Sequence, residues 1–160
     1  MTGSRPIEVF TSKFSACNKT KGDPNNYICI SNIAKKKDKE KIVKRPILSF
    51  DANITSRKLI KFINKIRSDV VSPLVDGQLS PSITRALTRT MEKEFIFAKE
   101  QKNKSSMLRK IYAELAWVEF GKGINKNVYI QELLGHVNLN TSFSYSFVDS
   151  SSSVIDKAVN

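Results

Sequence analysis

The sequence predicts a mainly helical α+β fold, in which a small antiparallel sheet or hairpin packs beside a helical bundle. Two observations support this prediction. Short strand-like runs separated by turn residues lie in the first third of the chain, and apolar residues at helical spacing dominate the rest. The length of 160 residues fits one compact domain with its own core.

The amino-terminal part of the chain begins with a short predicted helix and continues as strands. Pro6 fits the first turn of this helix, with Ser4 as a possible cap before it. Residues 13–17 and 27–33 are predicted strands, joined by a turn over residues 19–26 that is rich in glycine, proline and asparagine.

A lysine-rich hairpin tip precedes the third predicted strand. The tip covers residues 35–41, and the strand-like run covers residues 42–50. For most of these lysines a solvated, charged loop is the simpler interpretation, and contact with phosphate groups is the alternative.

Helical segments follow the strands. Thr55 caps the first of them, Gly121 ends the third and Gly135 ends the fourth. Residues 71–80 are predicted to be a loop, because they contain proline and glycine and no helical pattern. The predicted helical segments are 55–67, 82–99, 106–120, 128–134 and 141–148.

The charge of the chain predicts a polyanionic partner. The formal net charge is +12 and the sequence pI is about 9.8. Nucleic acid is the first candidate and an anionic membrane surface the second. No apolar run approaches the ~20 residues that span a bilayer, and the amino terminus has no charged-then-apolar signal pattern.

The two cysteines predict no special chemistry. Cys17 and Cys29 match neither a metal-ligand pattern nor a disulfide framework, so we expect free thiols in the core. Free thiols are typical of a reduced, cytoplasmic setting.

One stretch near the carboxyl terminus suggests phosphodiester chemistry. Glu132-Leu-Leu-Gly-His136 is followed by Tyr145, nine positions after the histidine. Histidine supplies a titratable hydrogen-bonding group, and tyrosine supplies a nucleophile for covalent catalysis. Alternatively, His136 caps a helix and Tyr145 is a core aromatic, and the stretch alone does not decide between the two.

Four separated pieces give this stretch a context. They are Thr2-Gly-x-Arg5-x-x-Glu8, a hairpin-tip lysine at Lys35 or Lys36, Arg109, and Leu-Gly-His136 followed by Tyr145. In this order they resemble the catalytic domain of the tyrosine recombinase superfamily. More narrowly, the chain resembles the hairpin telomere resolvases, or protelomerases. The narrower resemblance rests mostly on the Arg109-Lys-Ile-Tyr-Ala helix and extends from residue 2 to about residue 148.

The resemblance implies a role for each of these residues. Arg5 and Arg109 stabilise the charge that develops on the non-bridging phosphate oxygens. Tyr145 attacks the phosphorus and forms a 3′-phosphotyrosyl link, which leaves a free 5′-hydroxyl. Lys35, or Lys36 as the alternative, protonates the leaving 5′-oxygen, and His136 orients the phosphate or helps to deprotonate the tyrosine. The link conserves the phosphodiester energy, so neither ATP nor another high-energy cofactor is expected. The arginines take the place of the metal that many nucleases use, so no metal is expected either.

The chain departs from the family pattern at Ser106. The family has a further site residue three positions before the second arginine, and a serine there cannot carry positive charge. Ser106 is therefore either a site residue or a helix cap, and nearby Lys104 is a possible source of the charge. Phosphate contacts outside the reaction centre are predicted for Lys36, Lys37, Lys39, Lys41, Lys44 and Arg45.

The resemblance also implies partners and domain boundaries. Residues 1–149 are the expected catalytic domain and residues 150–160 a polar tail, with an upstream DNA-clamping domain expected to be missing. The expected partner is double-stranded DNA with a palindromic site, bound by a dimer in the cytoplasm, with neither a membrane nor a small-molecule substrate. Hairpin formation is the first functional hypothesis. Conventional strand exchange by an integrase and a non-catalytic DNA-binding remnant are the alternatives.

Overall fold

The structure is a computed structural model that describes residues 2–17, 27–33, 42–49, 53–94 and 104–136. Within these ranges it is mainly helical with a small antiparallel sheet, which confirms the predicted fold class. The elements in chain order are α1 (Glu8–Thr11), β1 (Lys13–Ala16), β2 (Tyr27–Ser31), β3 (Val43–Pro46), α2 (Ser56–Asp69), β4 (Leu74–Val75), β5 (Gln78–Leu79), α3 (Pro81–Glu94), α4 (Lys104–Phe120) and α5 (Lys126–Leu134).

The three longer strands form one antiparallel sheet in the order β1-β2-β3. In the central strand, Ile28 and Ile30 are fully buried and alternate with partly exposed residues, as expected for a sheet with one face on the core. These isoleucines pack with Val43 of β3, and Leu59 and Ile60 of α2 contact the same cluster. The sheet and α2 therefore form one hydrophobic core.

Cys17 and Cys29 form a disulfide, so the prediction of free thiols is wrong. Cys29 lies opposite Ser15 in the β1–β2 register, and Cys17 comes two positions later. This diagonal places the two Cα atoms 5.3 Å apart, within disulfide range. The argument from free thiols to a reduced setting therefore loses its support.

Helix α2 begins as predicted, because the side chain of Thr55 accepts a hydrogen bond from the backbone N–H of Lys58 at 3.3 Å. Its last turn is tied to the amino terminus by Arg67, whose guanidinium donates to the carbonyls of Val9 and Ser12. Helix α2 therefore supports α1 as well as the sheet.

Residues 71–80 contain a hairpin where the sequence predicted a loop. Strands β4 and β5 pair around Asp76 and Gly77, which have φ values of 49° and 72°. Two consecutive positive φ angles are typical of a type I′ turn, for which Asp-Gly is a preferred sequence.

Helices α4 and α5 form the second core. Helix α5 begins two residues before its predicted start, because Asn125 Oδ1 accepts hydrogen bonds from the N–H groups of Asn127 and Val128. Helix α4 includes Lys104, so Ser106 lies inside its first turn and is not the cap. The buried cluster that joins the two helices consists of Tyr112, Ala113, Ala116, Ile130, Leu133 and Leu134.

Several predicted elements lie outside the described residues. They are the turn at 19–26, the lysine-rich tip at 35–41, the last turns of the second helical segment and the segment 141–148. Across the described part of the chain, no helix is both long and apolar enough to cross a membrane.

Candidate functional site

The segment before α1 is held by its own side chains. The backbone N–H of Arg5 donates to Glu8 Oε2 at 2.9 Å, and the Arg5 guanidinium donates to Glu8 Oε1 at 2.8 Å. Ser4 is not the helix cap that the sequence predicted. Its Oγ accepts from Thr2 at 3.1 Å and from Arg45 at 3.3 Å. The Thr-Gly-x-Arg-x-x-Glu spacing therefore folds into a closed turn around the carboxylate.

Glu8 is the centre of an arginine cluster, defined here as Arg5, Arg45 and Arg109 around the Glu8 carboxylate. Glu8 is fully buried. Its Oε1 lies 2.8 Å from Arg5, and its Oε2 lies 3.4 Å from Arg45 and 3.8 Å from Arg109. Three guanidinium groups therefore share this one carboxylate among the described ion pairs. Such a concentration of cations favours an anion at the edge of the cluster.

Arg45 is not on the surface, as a phosphate-contact residue would be. Its side chain is 0% exposed, and we correct the prediction that it contacts DNA phosphate from the lysine-rich loop. Burial lowers the pKa of its guanidinium, and the charge of Glu8 opposes this shift. Strand alternation explains the burial, because Val43, Arg45 and Ile47 share the inner face while Lys44 is exposed.

His136 follows a well-defined helix end. Gly135 adopts the left-handed conformation, with φ 68° and ψ 38°. The His136 N–H donates to Gln131 O at 2.9 Å and the Gly135 N–H to Glu132 O at 3.1 Å. This pair of bonds is the Schellman motif, for which glycine is preferred because it adopts positive φ without strain. The predicted helix stop at Gly135 is therefore confirmed.

Arg109 connects the histidine turn with the amino-terminal segment. Its guanidinium donates to Leu134 O at 2.9 Å and to the carbonyl of Gly3. Arg109 is 4% exposed, whereas the Arg5 side chain keeps 28% of its surface. Arg5 is therefore the more accessible of the two arginines, and Arg109 is buried.

A cleft of about 600 Å³ opens beside His136. Its walls include Tyr27, Lys44, Phe120 and Tyr129. The Lys44 ammonium lies 4.6 Å from the centre of the Tyr27 ring, which is a cation–π distance. Burial raises the pKa of Tyr129 to about 12, so this phenol is neutral at physiological pH.

The structure brings together three of the five predicted catalytic residues. Arg5 and Arg109 pair with the same carboxylate, that of Glu8. His136 comes two residues after Leu134, whose carbonyl accepts a hydrogen bond from Arg109. Ser106 lies within α4, one turn before Arg109. Lys104 lies in α4, but its side chain is not among those described. The remaining candidates lie outside the described residues, and they are Lys35, Lys36, Lys37, Lys39, Lys41 and Tyr145.

Sequence reasoning missed the structural roles of Glu8 and Arg45. Glu8 belongs to the Thr2-Gly-x-Arg5-x-x-Glu8 pattern, but no function was predicted for it. The observation that could have revealed Arg45 is the apolar character of Val43 and Ile47, which places the residue between them on the buried face.

The solved structures that this fold matches are protelomerases, and this is the class of protein that the fold defines. A variant of protelomerase TelA covalently complexed with substrate DNA matches with a TM-score of 0.67 and 30% identity, over 91% of this chain and 49% of that one. A TelA variant complexed with a DNA hairpin product gives 0.61 and 27% over the same shares. Protelomerase TelK complexed with substrate DNA gives 0.61 and 21%, over 90% and 29%, and supports the fold alone.

The chain belongs to the telomere resolvase ResT/TelK catalytic domain family, whose model matches residues 1–149. The resemblance seen in the sequence is therefore confirmed. The chain spans about half the length of the TelA structures that it matches. A comparison with curated protein sequences found no match.

Proposed function

We propose that this chain cuts DNA and rejoins it as covalently closed hairpin ends, through a 3′-phosphotyrosyl intermediate formed at a palindromic site. The observation that carries the proposal is the arginine cluster beside the His136 turn, in a chain of the telomere resolvase family. The cluster supplies fixed cations, which are the groups that stabilise a phosphodiester under attack.

In the first step, the phenolic oxygen of Tyr145 forms a bond to the scissile phosphorus and the bond to the 5′-oxygen breaks. The tyrosine proton leaves to His136 or to water, and Lys35 or Lys36 gives a proton to the departing 5′-oxygen. Arg5, with its exposed edge, binds the non-bridging oxygens first, and Arg109 adds charge from its buried position.

In the second step, the 5′-hydroxyl of the opposite strand attacks the phosphotyrosyl phosphorus. The 5′-hydroxyl gives its proton back to the lysine, and the tyrosine oxygen leaves and recovers a proton from His136 or water. The number of phosphodiester bonds is unchanged, so no energy source is needed. Each strand requires one Tyr145, so we infer that two copies act on one two-fold symmetric site. We also propose that the chain acts in the cytoplasm, on the DNA that it cuts.

Lysines beside the cluster complete the proposed DNA interface. Lys44 is exposed at the cleft beside His136. Lys36, Lys37, Lys39 and Lys41 precede it in the chain, and all five are proposed to contact phosphates, which positions the duplex without specifying its sequence.

The test uses a pool of duplexes with randomised inverted repeats and a bridging 5′-sulfur at the centre of each repeat. A thiol leaving group needs no acid and rejoins poorly, so the covalent intermediate accumulates. We expect a denaturant-resistant protein–DNA adduct, absent from Tyr145→Phe, and sequencing of the trapped DNA gives the site. A folded protein that captures no DNA from this pool would refute the catalytic proposal and favour a DNA-binding remnant.

The lysine is assigned with the same substrate once the site is known. We expect Lys35→Ala to cleave the normal phosphodiester slowly. Its cleavage rate should recover on the substrate with the bridging 5′-sulfur, because sulfur leaves without a proton. Recovery of Lys36→Ala alone would move the acid by one position.

The shape of the product separates a resolvase from a conventional recombinase. Hairpin ends snap back after denaturation and resist exonuclease, whereas strand exchange between two duplexes gives open-ended recombinants. We expect hairpin ends from a single duplex. Recombinants from two labelled duplexes, without hairpins, would support the integrase alternative.

A further inference from the structure

Arg45 is the fully buried member of the arginine cluster and has no direct role in either step of the proposed reaction. Its Nε donates to Leu133 O at 2.9 Å, and one terminal nitrogen donates to Leu134 O at 3.3 Å. The other terminal nitrogen lies 3.3 Å from Ser4 Oγ and 3.4 Å from Glu8 Oε2. Arginine is almost never fully buried unless it is paired, so these contacts explain its position.

The two carbonyls that Arg45 binds belong to the helix end that holds His136. The Schellman bonds of Gly135 and His136 use the carbonyls of Glu132 and Gln131, so those of Leu133 and Leu134 need other donors. Arg45 donates to both, sharing Leu134 O with Arg109, and a cation is favoured at a helix carboxyl terminus.

The opposite side of the Arg45 guanidinium faces the amino-terminal segment. Ser4 and Glu8 flank Arg5, which is the accessible arginine of the cluster. Arg45 therefore contacts Ser4 and Glu8, which flank the proposed catalytic residue Arg5. It also contacts the end of α5, which precedes the proposed catalytic residue His136. The two contacted segments are separated by more than a hundred residues of sequence, so their spacing depends on tertiary contacts, which are those of Arg45 and of Arg109 among the described hydrogen bonds.

We propose that Arg45 is a positioning residue for DNA cleavage, which fixes the Arg5 turn and the His136 turn relative to each other. The inference rests on the proposed function. Arginine suits this task because its planar fork presents several donors at fixed angles, whereas lysine presents a single point charge. Arg45→Lys keeps the charge and loses the fork, so it isolates the positioning role.

The test compares Arg45→Lys with Arg57→Lys, the same substitution at an exposed arginine of α2. Both variants are mixed with a duplex that carries the site identified from the covalent adduct. The single-turnover cleavage rate at saturating DNA and the DNA dissociation constant are measured for each. We expect Arg45→Lys to cut about 100-fold more slowly, because misplacement by about an ångström has effects of this size. Its DNA affinity should stay within about threefold, since Arg45 lies below the surface. Arg57→Lys should match the wild type.

A second substrate separates positioning from general loss of structure. A methylphosphonate at the scissile position carries no charge, so cleavage depends less on well-placed arginines. The Arg45→Lys defect should therefore be at least about tenfold smaller on the methylphosphonate than on the phosphodiester. An equal defect on both substrates would mean that Arg45 serves folding alone, and would overturn the inference.

The remaining outcomes also decide. If the wild type traps no DNA, the proposed function fails before Arg45 is tested. If the wild type cuts and Arg45→Lys cuts at a similar rate, only the positioning role fails. Arg45→Gln, which keeps amide donors, is the second variant, and loss of folding in both variants would assign Arg45 to stability and overturn the inference.

Discussion

At the scale of single residues, Glu8 sets the charge balance of the arginine cluster. It is fully buried and contacts Arg5, Arg45 and Arg109 within 3.8 Å. Buried charges are tolerated when they are paired, and removing one partner leaves the others uncompensated. The carboxylate therefore offsets part of the repulsion between three cations that lie close together.

Replacing this carboxylate by an amide should destabilise the fold strongly. Glu8→Gln is expected to lower the free energy of unfolding by about 3 kcal/mol, because three guanidinium groups then repel one another in a buried setting. Urea unfolding at neutral pH measures the change. Glu119→Gln is the control, since Glu119 is an exposed residue of α4. A loss for Glu8→Gln no larger than for the control would contradict the role of Glu8.

Gly3 is a second residue whose identity is imposed by its neighbours. It has φ +59°, and a Cβ there would overlap the ring of Tyr112. Its carbonyl also accepts from Arg109, so a shift of Gly3 would move that arginine. A side chain at this position is therefore both strained and obstructed.

Gly3→Ala should cost clearly more than Gly77→Ala. Gly77 has a similar φ of +72° but open space around it, so its substitution measures backbone strain alone. We expect roughly 1 kcal/mol for Gly77→Ala and a further 1–3 kcal/mol or so for Gly3→Ala from the overlap. Thermal unfolding of the two variants gives the comparison. Equal losses would show that the Tyr112 ring moves aside at no cost.

At the scale of elements, the α4–α5 pair places Arg109 and the His136 turn. A partly exposed ion pair joins the helices, with Lys126 Nζ 2.6 Å from Oε1 of Glu114, which is 2% exposed. Lys126 also lies 5.0 Å from the centre of the Trp117 ring. A lysine in the first turn of a helix is disfavoured by the helix dipole, so this pair stabilises docking and not α5 itself.

A double-mutant cycle tests this docking contact. Lys126→Met should destabilise the protein by about 2 kcal/mol, because the buried carboxylate of Glu114 loses its partner. Adding Glu114→Gln to Lys126→Met should recover much of the loss, with a coupling of about 1–2 kcal/mol in denaturant unfolding. Strictly additive losses would mean that the pair contributes nothing to docking.

The elements also show what the sequence can and cannot predict. Helix α2 and the Gly135 stop follow from local chemistry, namely a threonine cap and a glycine with positive φ, and both were predicted. The β4–β5 hairpin was missed although Asp76-Gly77 is a strong turn sequence. The Cys17–Cys29 pair and the buried position of Arg45 depend on strand register and packing between distant segments, which spacing alone does not reveal.

At the scale of the whole molecule, the net charge of +12 is the basis for the proposed binding of DNA. We expect positive charges at different positions to differ in their effect on DNA binding. Lys44 lies on β3 at the cleft beside His136, whereas Lys13 lies on β1, at the opposite edge of the sheet. Both lysines are exposed, and either change to alanine lowers the net charge by the same amount.

This pair separates local phosphate contact from general charge. DNA affinity is measured as a function of salt, since each neutralised phosphate contributes about 0.9 to the slope of log K against log salt. Lys44→Ala should reduce the slope by about one contact and weaken binding to all duplexes alike, because phosphate contacts carry no sequence information. Lys13→Ala should leave the slope close to that of the wild type. Equal changes in both variants would show that the duplex responds only to total charge, and the proposed interface at the His136 cleft would then be wrong.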